Sequence, residues 1–263
     1  MSFVDEFLDW SYQGLLQSEE AQAYLRGRGI GEDQWLRHRL GFTLGEFDID
    51  PARDPGHKLD ICHDKEKSFF WCDSCRYRRW SSKWEASEDG APKQQYVGRR
   101  IANCVVFPLT NYIGSVVGFQ VRSILEKSYD SFSIRRMPEG YFFGIAAGLH
   151  SIWSSQEVWL TEGPGDHLVI ERLVAPNVLG ITTSSPSILQ VRFLRRFVRR
   201  INLCLDMDNA GRKSAREFCA RYGTEFEIRD VKYPCLDPKD KDPGDYWKRV
   251  GDSAFSRYFR NLR

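Results

Sequence analysis

The sequence has no long hydrophobic run and little excess charge of either sign. No apolar stretch approaches the ~18 residues that a membrane-spanning helix needs. The N-terminus, M-S-F-V-D-E-F-L-D-W, is acidic and lacks the basic and apolar regions of a secretory signal peptide. The net charge is only +2, so affinity for nucleic acid has to come from local patches. The 7 cysteines are an odd number and lie mostly in apolar runs, which indicates reduced thiols in a cytoplasmic protein.

A phosphate-binding G-x-x-x-x-G-K-[ST] motif is also missing, so no P-loop ATPase is expected. What the chain does have is enough apolar sequence for a core, since 41% of its 263 residues are hydrophobic. That length suits one large domain or two modest ones. From residue 156 onward, short apolar runs alternate with helical patterns, which predicts a parallel α/β sheet.

The first acidic segment follows a short apolar run, Val158 to Thr161, which predicts a buried strand. Glu162 stands at the end of this strand, and the G-P-G that follows predicts a tight turn. Asp166 then begins a segment whose apolar residues have helical spacing. Ligands of open α/β sheets bind beyond the carboxyl ends of the strands. Two carboxylates are therefore expected at a ligand-binding turn.

Two more acidic segments repeat this arrangement downstream. Ile201 to Leu205 predicts a second strand, after which Asp206 and Asp208 point to one side because side chains alternate. A third segment, K-D-K-D-P-G-D-Y-W, supplies further carboxylates at Asp240, Asp242 and Asp245. Each acid taken alone could simply start a helix or occupy a turn. Three such segments in series favour a site for Mg²⁺ or Mn²⁺, which bind oxygen ligands.

The order E-G-x-x-D, D-x-D-x-A-G-R and K-D-P-x-D resembles the TOPRIM domain of DnaG-type primases, which make short RNA primers on single-stranded DNA. The resemblance implies an α/β fold, in which an α+β N-terminal subdomain precedes a TOPRIM parallel α/β sheet. It also implies nucleotidyl transfer from NTPs with Mg²⁺ or Mn²⁺ as cofactor. The implied catalytic residues are Glu162, Asp206 and Asp208. The implied metal ligands are Glu162, Asp166, Asp206, Asp208, Asp242 and Asp245.

The resemblance extends upstream of the acidic segments. Residues 3–41 predict a helical hairpin that is similar to the family pattern S-x-x-A-x-x-Y-L-x-x-R-G-I. Residues 100–124 predict a β-hairpin that resembles the family stretch R-I-x-F-P-I. The resemblance implies that Arg100, Arg122 and, displaced by one position, Lys127 lie near the nucleotide and template path. Arg212 and Lys241 are expected to reduce repulsion among the carboxylates or to contact the triphosphate.

A second metal site is suggested by Cys72 and Cys75, which form a C-x-x-C motif. Cys62 lies upstream with His57 and His63 beside it, and a hairpin over residues 57–84 would bring three thiolates and one imidazole around Zn²⁺. His63 is the assigned fourth ligand, with His57 as the alternative. Two turn cysteines in a reduced loop would explain the motif equally well. The family has no cysteines that match this cluster.

A basic stripe is predicted on a helix over residues 186–199. Arg192, Arg195 and Arg199 share one face of this helix, and apolar residues occupy the opposite face. Few acids lie nearby in sequence, so the stripe is expected to contact the template or primer backbone. A solvated helix face is the alternative.

The predicted organisation has three parts: an N-terminal subdomain over residues 1–155, a TOPRIM domain over 156–250 and a C-terminal helix over 251–263. No segment matches the family's usual N-terminal zinc domain or C-terminal helicase-binding domain, which suggests a phage or mobile-element origin. The expected partners are single-stranded DNA, NTPs, a primer–template hybrid and a replicative helicase supplied in trans, with no membrane. The alternatives are a TOPRIM nuclease and a non-catalytic accessory subunit of a replication or mobile-element complex.

Overall fold

The computed structural model of the protein describes residues 3–44, 103–125, 129–133, 141–235 and 240–262. The predicted zinc ligands Cys62, His63, Cys72 and Cys75 lie outside these residues, as do Arg100 and Lys127. The α/β fold class is confirmed, with one antiparallel and one parallel sheet in the described part of the chain. Within the described residues, no helix combines the length and apolar character needed to cross a membrane.

The N-terminal part combines three helices with the antiparallel sheet. The helices are α1 (Phe3–Gln17), α2 (Glu19–Arg26) and α3 (Glu32–Arg37), and the strands, in sheet order, are β1 (Gly41–Phe42), β2 (Cys104–Thr110), β3 (Val116–Ser123) and β4 (Tyr129–Ser133). The continuous helical pattern over residues 3–27 is split at Ser18, whose hydroxyl accepts a hydrogen bond from the Ala21 N–H at 3.2 Å. Ser18 therefore starts a new helix by capping it.

The second half of the chain alternates helices and strands, as its sequence pattern predicts. Its elements are α4 (Ile145–Ser155), β5 (Glu157–Thr161), α5 (Pro164–Leu173), β6 (Val178–Gly180), α6 (Ile188–Phe197), β7 (Arg200–Cys204), α7 (Asn209–Tyr222), β8 (Glu227–Asp230) and α8 (Pro243–Arg260). The strands are parallel and lie in the order β6-β5-β7-β8.

Both faces of the parallel sheet are covered, because alternate residues of each strand enter different cores. Val158 and Leu160 of β5 pack in one hydrophobic cluster, with residues of α4, α6 and α7. Trp159, between them, packs in another cluster with Phe255 and Phe259 of α8. All of these side chains are fully buried. A sheet buried on both sides explains why the strands have continuous apolar sequences rather than alternating ones.

The strand order places a topological switch point between β5 and β7. From β5 the chain crosses through α5 to β6 on one side, and then through α6 to β7 on the other side of β5. The carboxyl ends of β5 and β7 therefore border a crevice from which the connecting helices diverge. Crevices of this kind are where open α/β sheets bind their ligands.

The two halves are joined by a polar clamp between α5, α8 and the loop before α3. Arg172 of α5 donates from Nε to the Gly29 carbonyl at 2.8 Å. Its terminal nitrogens donate to the two carboxylate oxygens of Asp252 at 2.7 and 2.9 Å. Trp247 donates from Nε1 to the same carboxylate at 2.7 Å. Gly29 has φ +76° and lies against the Trp247 ring, where a Cβ would come within 2.9 Å of the indole, so glycine is required there.

Two sequence predictions about helices need correction. The helix predicted over 186–199 ends at Phe197, because Val198 takes an extended conformation that leads into β7. Arg199 therefore lies beyond the helix and does not share its face with Arg192. The helix predicted from residue 251 is the second half of the longer α8, which bends at Gly251, where φ is +75°.

Candidate active site

Glu162 and Asp206 meet at the switch point, one from each side of the crevice. Glu162 directly follows β5, and Asp206 comes two residues after β7 ends. The Glu162 Oε1 accepts a hydrogen bond from the Asp206 N–H at 3.3 Å. The first and second acidic segments are thus in direct contact, as the strand-end argument predicts.

Gly211, in the first turn of α7, lies where the two acidic segments come too close for a side chain. A Cβ at this position would lie 2.2 Å from the Asp206 carbonyl oxygen and 2.9 Å from Glu162 Oε1. No real side chain tolerates such a contact with backbone, so any larger residue would push the two acidic segments apart. The glycine is required by the close approach, since its φ is not in the left-handed region.

Asp208 has a different role from its neighbour Asp206. It is the N-cap of α7, and its Oδ1 accepts a hydrogen bond from the Gly211 N–H at 3.0 Å. Lys241 lies between the two carboxylates, with its Nζ 3.2 Å from Asp206 Oδ2 and 3.4 Å from Asp208 Oδ2. The Lys241 carbonyl also accepts a hydrogen bond from the Met207 N–H at 2.6 Å. The lysine predicted to reduce repulsion is therefore positioned to do so.

The third acidic segment reaches the same crevice through Asp242, the N-cap of α8. Its Oδ1 accepts a hydrogen bond from the Asp245 N–H at 2.6 Å. Asp166, in the first turn of α5, accepts a bond from the Gly244 N–H of this segment at 3.1 Å. Asp240 differs from the others because it pairs with Arg249 at 2.5 Å. The three acidic segments are thus linked by hydrogen bonds into one cluster.

Three carboxyl groups of this cluster, Glu162, Asp166 and Asp206, hold protons more tightly than usual. Burial, followed by the charge of Asp206, raises the pKa of Glu162 to about 7. Burial, followed by the charge of Asp242, raises the pKa of Asp206 to about 6 and that of Asp166 well above its usual range. Burial is the main cause of these shifts, and repulsion between neighbouring carboxylates adds to it. An oxygen-rich set with excess negative charge fits a divalent cation such as Mg²⁺ or Mn²⁺.

Besides Lys241, three cations interact with the acidic cluster, and of these three the sequence analysis assigned a site role only to Arg122. Burial, followed by the charge of Arg28, lowers the pKa of Arg122, while Asp242 and Asp166 raise it. Burial and Arg28 likewise lower the pKa of Lys248, which lies 3.9 Å from Asp245. Arg122 therefore interacts with the charges of Asp242 and Asp166, and Arg28 and Lys248 both interact with Asp245. A nucleotide or template contact by Arg122 stays a prediction. Arg28 belongs to the R-G-I pattern, which was a sequence signal for its role.

The other predicted contacts lie away from this crevice or on its exposed side. Arg212 is exposed on α7, and Arg192 is exposed on α6. Arg195 is engaged in a bidentate ion pair with Glu225, at 2.6 and 2.9 Å, so the helix has a nearby acid that the sequence argument overlooked. Arg199 is exposed beyond the helix. A template contact by these arginines stays a prediction.

Comparisons with known proteins agree with this architecture. Residues 159–247 match the Toprim-like family. The DNA primase of Clostridium acetobutylicum is 24% identical over 259 residues, which are 95% of this chain and 39% of that protein. The DNA primase of Pasteurella multocida is 24% identical over 98% of this chain and 42% of its own length. The chain thus spans about two fifths of the curated relatives that it matches.

Solved structures cover nearly the whole chain. The Aquifex aeolicus primase, with its zinc-binding and RNA polymerase domains, superimposes with a TM-score of 0.68 at 21% identity, over 98% of this chain and 59% of its own. A DnaG primase catalytic domain bound to ssDNA superimposes with a TM-score of 0.66 at 17% identity, over 98% and 79%. The chain has the fold of a DnaG-type primase core. Within this fold, the acidic cluster lies at the switch point of the parallel sheet, inside the region that matches the Toprim-like family.

Proposed function

We propose that this chain is a DNA primase core that joins NTPs into short RNA primers on a single-stranded DNA template. The observation that carries the proposal is the pairing of an acidic cluster, centred on Glu162 and Asp206, with the cations Arg28, Arg122 and Lys248 across one crevice. Nucleotidyl transfer needs both features, because the triphosphate is anionic and the reacting phosphate accumulates further charge.

In this proposal the acids and the cations have separate tasks. The side chains that would hold Mg²⁺ or Mn²⁺ are Glu162, Asp166, Asp206, Asp208, Asp242 and Asp245. Bound there, the metal would neutralise phosphate charge and favour ionisation of the attacking hydroxyl. Arg28, Arg122 and Lys248 bind the triphosphate or the template backbone, since guanidinium and ammonium groups suit phosphate oxygens.

Glu162 is suited to proton transfer as well as to metal binding. Its Oε1 accepts a hydrogen bond from the Asp206 N–H at 3.3 Å, and in this proposal Oε2 interacts with the substrate. A pKa of about 7 means that this carboxyl accepts or releases a proton near neutral pH. Asp208 and Lys241 keep the Asp206 loop in place through the N-cap and the shared ion pairs.

The partners follow from the same proposal. The template is single-stranded DNA, the substrates are NTPs, and the product is a primer–template hybrid. A replicative helicase would be supplied in trans. The DnaG catalytic domain that superimposes on this chain is described as bound to ssDNA, which supports a template of this kind.

Primer synthesis by the purified chain tests the proposal directly. The chain is incubated with single-stranded DNA, labelled NTPs and Mg²⁺ or Mn²⁺, and products are resolved by length. Asp206→Asn should abolish synthesis. Glu217→Gln should leave it unchanged, because Glu217 is an exposed acid on α7 that pairs with Lys213 at 3.8 Å. Shortening of the DNA without NTPs would instead indicate a nuclease. Template binding without synthesis or cleavage would indicate an accessory subunit.

Arg28→Ala tests the cationic side of the crevice separately. It should raise the KM for NTPs or weaken template binding while leaving metal binding to the acidic cluster intact. Arg26→Ala is the matched control, because Arg26 is the last residue of α2, two positions before Arg28, but pairs with Glu32 at 2.6 Å. Equal effects of the two substitutions would refute a specific role for Arg28.

A further inference from the structure

A second group of metal-ligating side chains lies at the junction of the two halves, apart from the acidic cluster. His38 is the C-cap residue of α3, and His167 and Glu171 lie four residues apart on α5. One ligand atom from each of the three lies within 4.8 Å of the others. The His38 Nε2 is 2.9 and 3.0 Å from the two oxygens of Glu171.

His167 is the unexplained member of this group. It is only 1% exposed, and neither of its ring nitrogens has a hydrogen-bond partner among the described residues. The ring is held in place by Gly144, where a Cβ would lie 2.0 Å from His167 Cε1, and by an edge contact with Phe143. Leaving a buried polar group unsatisfied is costly, so an imidazole fixed this firmly without a partner points to a missing ligand.

We propose that His38, His167 and Glu171 bind a transition-metal cation of the Zn²⁺ class, which fastens α3 to α5. Two imidazoles and one carboxylate are a ligand set that Zn²⁺ accepts, with a fourth position open to water. The pair at positions 167 and 171 projects from one helix face, because residues four apart are neighbours on a helix. The helix supplies two ligands and the junction supplies the third.

Gln34 gives the site the support that metal ligands usually have. Its Nε2 donates to the Leu168 carbonyl at 2.8 Å and to Glu171 Oε2 at 2.7 Å. These bonds orient the carboxylate from the α3 side, and such outer partners fix the geometry of a metal ligand. The side chain of Glu171 is only 5% exposed, so a bound cation would be shielded from water.

One neighbouring charge opposes cation binding, and its effect is limited. Arg37 lies 3.6 Å from Glu171 Oε1, but its side chain is 49% exposed and also pairs with Asp33 at 3.2 Å. Solvent therefore screens much of its charge. Asp166 precedes His167 in the chain, yet adjacent helical positions point about 100° apart. The proposed site and the acidic cluster are thus separate.

Zinc and cobalt binding test the proposal in a protein that keeps every described residue. Cys62, Cys72 and Cys75 are replaced by Ser to remove the thiolates, and excess Mg²⁺ is added to occupy the acidic cluster. This background protein should bind about one Zn²⁺ per chain with a raised melting temperature. Bound Co²⁺ should give visible d–d absorption without thiolate charge-transfer bands.

Three single substitutions then identify the ligands. His38→Ala, His167→Ala and Glu171→Gln should each weaken Zn²⁺ binding by about 100-fold or more, since even outer-shell substitutions cost 10–100-fold. His150→Ala, an exposed histidine on α4, is the control and should change nothing. Glu171→Gln keeps the size of the side chain and one acceptor oxygen, so circular dichroism should show an intact fold. No Zn²⁺ or Co²⁺ binding in the background protein, or unchanged affinity in Glu171→Gln, overturns the proposal.

Discussion

Replacing Asp206 with Asn should stabilise the metal-free protein at pH 7.5 while it abolishes primer synthesis. The pKa of Asp206 is raised from 3.8 to about 6 by burial and by the charge of Asp242. Ionising this group in the folded state therefore costs about 3 kcal/mol relative to the unfolded chain. Asp206→Asn removes this cost, but it also removes the ion pair with Lys241, at 3.2 Å, which offsets part of the gain in stability. We expect a net stabilisation of about 1–2 kcal/mol, or a melting temperature roughly 3–6 °C higher.

The stabilisation expected for Asp206→Asn depends on pH. The folded protein binds the Asp206 proton more tightly than the unfolded chain does, so its stability falls as pH rises from about 4 to about 6. The cost is fully present above that range and absent below it. The advantage of Asp206→Asn should thus be clear at pH 7.5 and small at pH 4.

Thermal unfolding followed by circular dichroism, with and without Mg²⁺, measures the effect. Mg²⁺ should raise the melting temperature of the unmodified protein and have much less effect on Asp206→Asn. Asp208→Asn is the matched control, because the Gly211 N–H and Lys241 lower the pKa of Asp208, so removing its charge should not stabilise the fold. A destabilised Asp206→Asn, or equal gains for both variants, would refute the charge-repulsion account.

Three further predictions concern other parts of the chain. Gly211→Ala should abolish synthesis and lower the melting temperature, because its Cβ would lie 2.2 Å from a backbone oxygen; Gly165→Ala, which meets nothing within 4 Å, should be far milder. Arg192→Glu combined with Arg199→Glu should flatten the log–log salt dependence of single-stranded DNA binding by about 0.7 for each lost phosphate contact, and an unchanged slope would assign both residues to a solvated surface. If the cysteines bind zinc, Cys72→Ser should remove zinc from a protein that carries it, which elemental analysis would detect; retention of all the zinc would exclude a cysteine site.

The acidic site could be predicted from sequence because its members stand at fixed offsets from strand ends. Glu162 and Asp206 each follow an apolar run, and parallel strands bring such ends to one edge of a sheet. The alternation of strands and helices also predicted the α/β fold class. The close approach of Glu162 to Gly211 could not be predicted, since no sequence rule gives the contact between a side chain and a remote turn.

Features that depend on contacts distant in sequence were missed. Arg195 pairs with Glu225, thirty positions away, so counting acids within a short window underestimated its partners. Arg199 was assigned to α6 because helical spacing continues past Phe197, but pairing with the sheet draws the chain into β7 instead. Tertiary packing overrode local periodicity there. No local pattern marks His38 as a site residue, because its partner Glu171 on α5 is more than a hundred residues away.

Because α8 bends at Gly251, its two halves contact different parts of the crevice. Before the bend, α8 carries Asp245 and Lys248. After it, Asp252 holds Arg172, which in turn holds the carbonyl of Gly29, the residue next to Arg28. The separation between the carboxylates and Arg28 is therefore set by a single stretch of chain and one bidentate ion pair. Under the proposed function, a nucleotide would enter a crevice whose width is already set, and widening it would require the Arg172–Asp252 pair to separate.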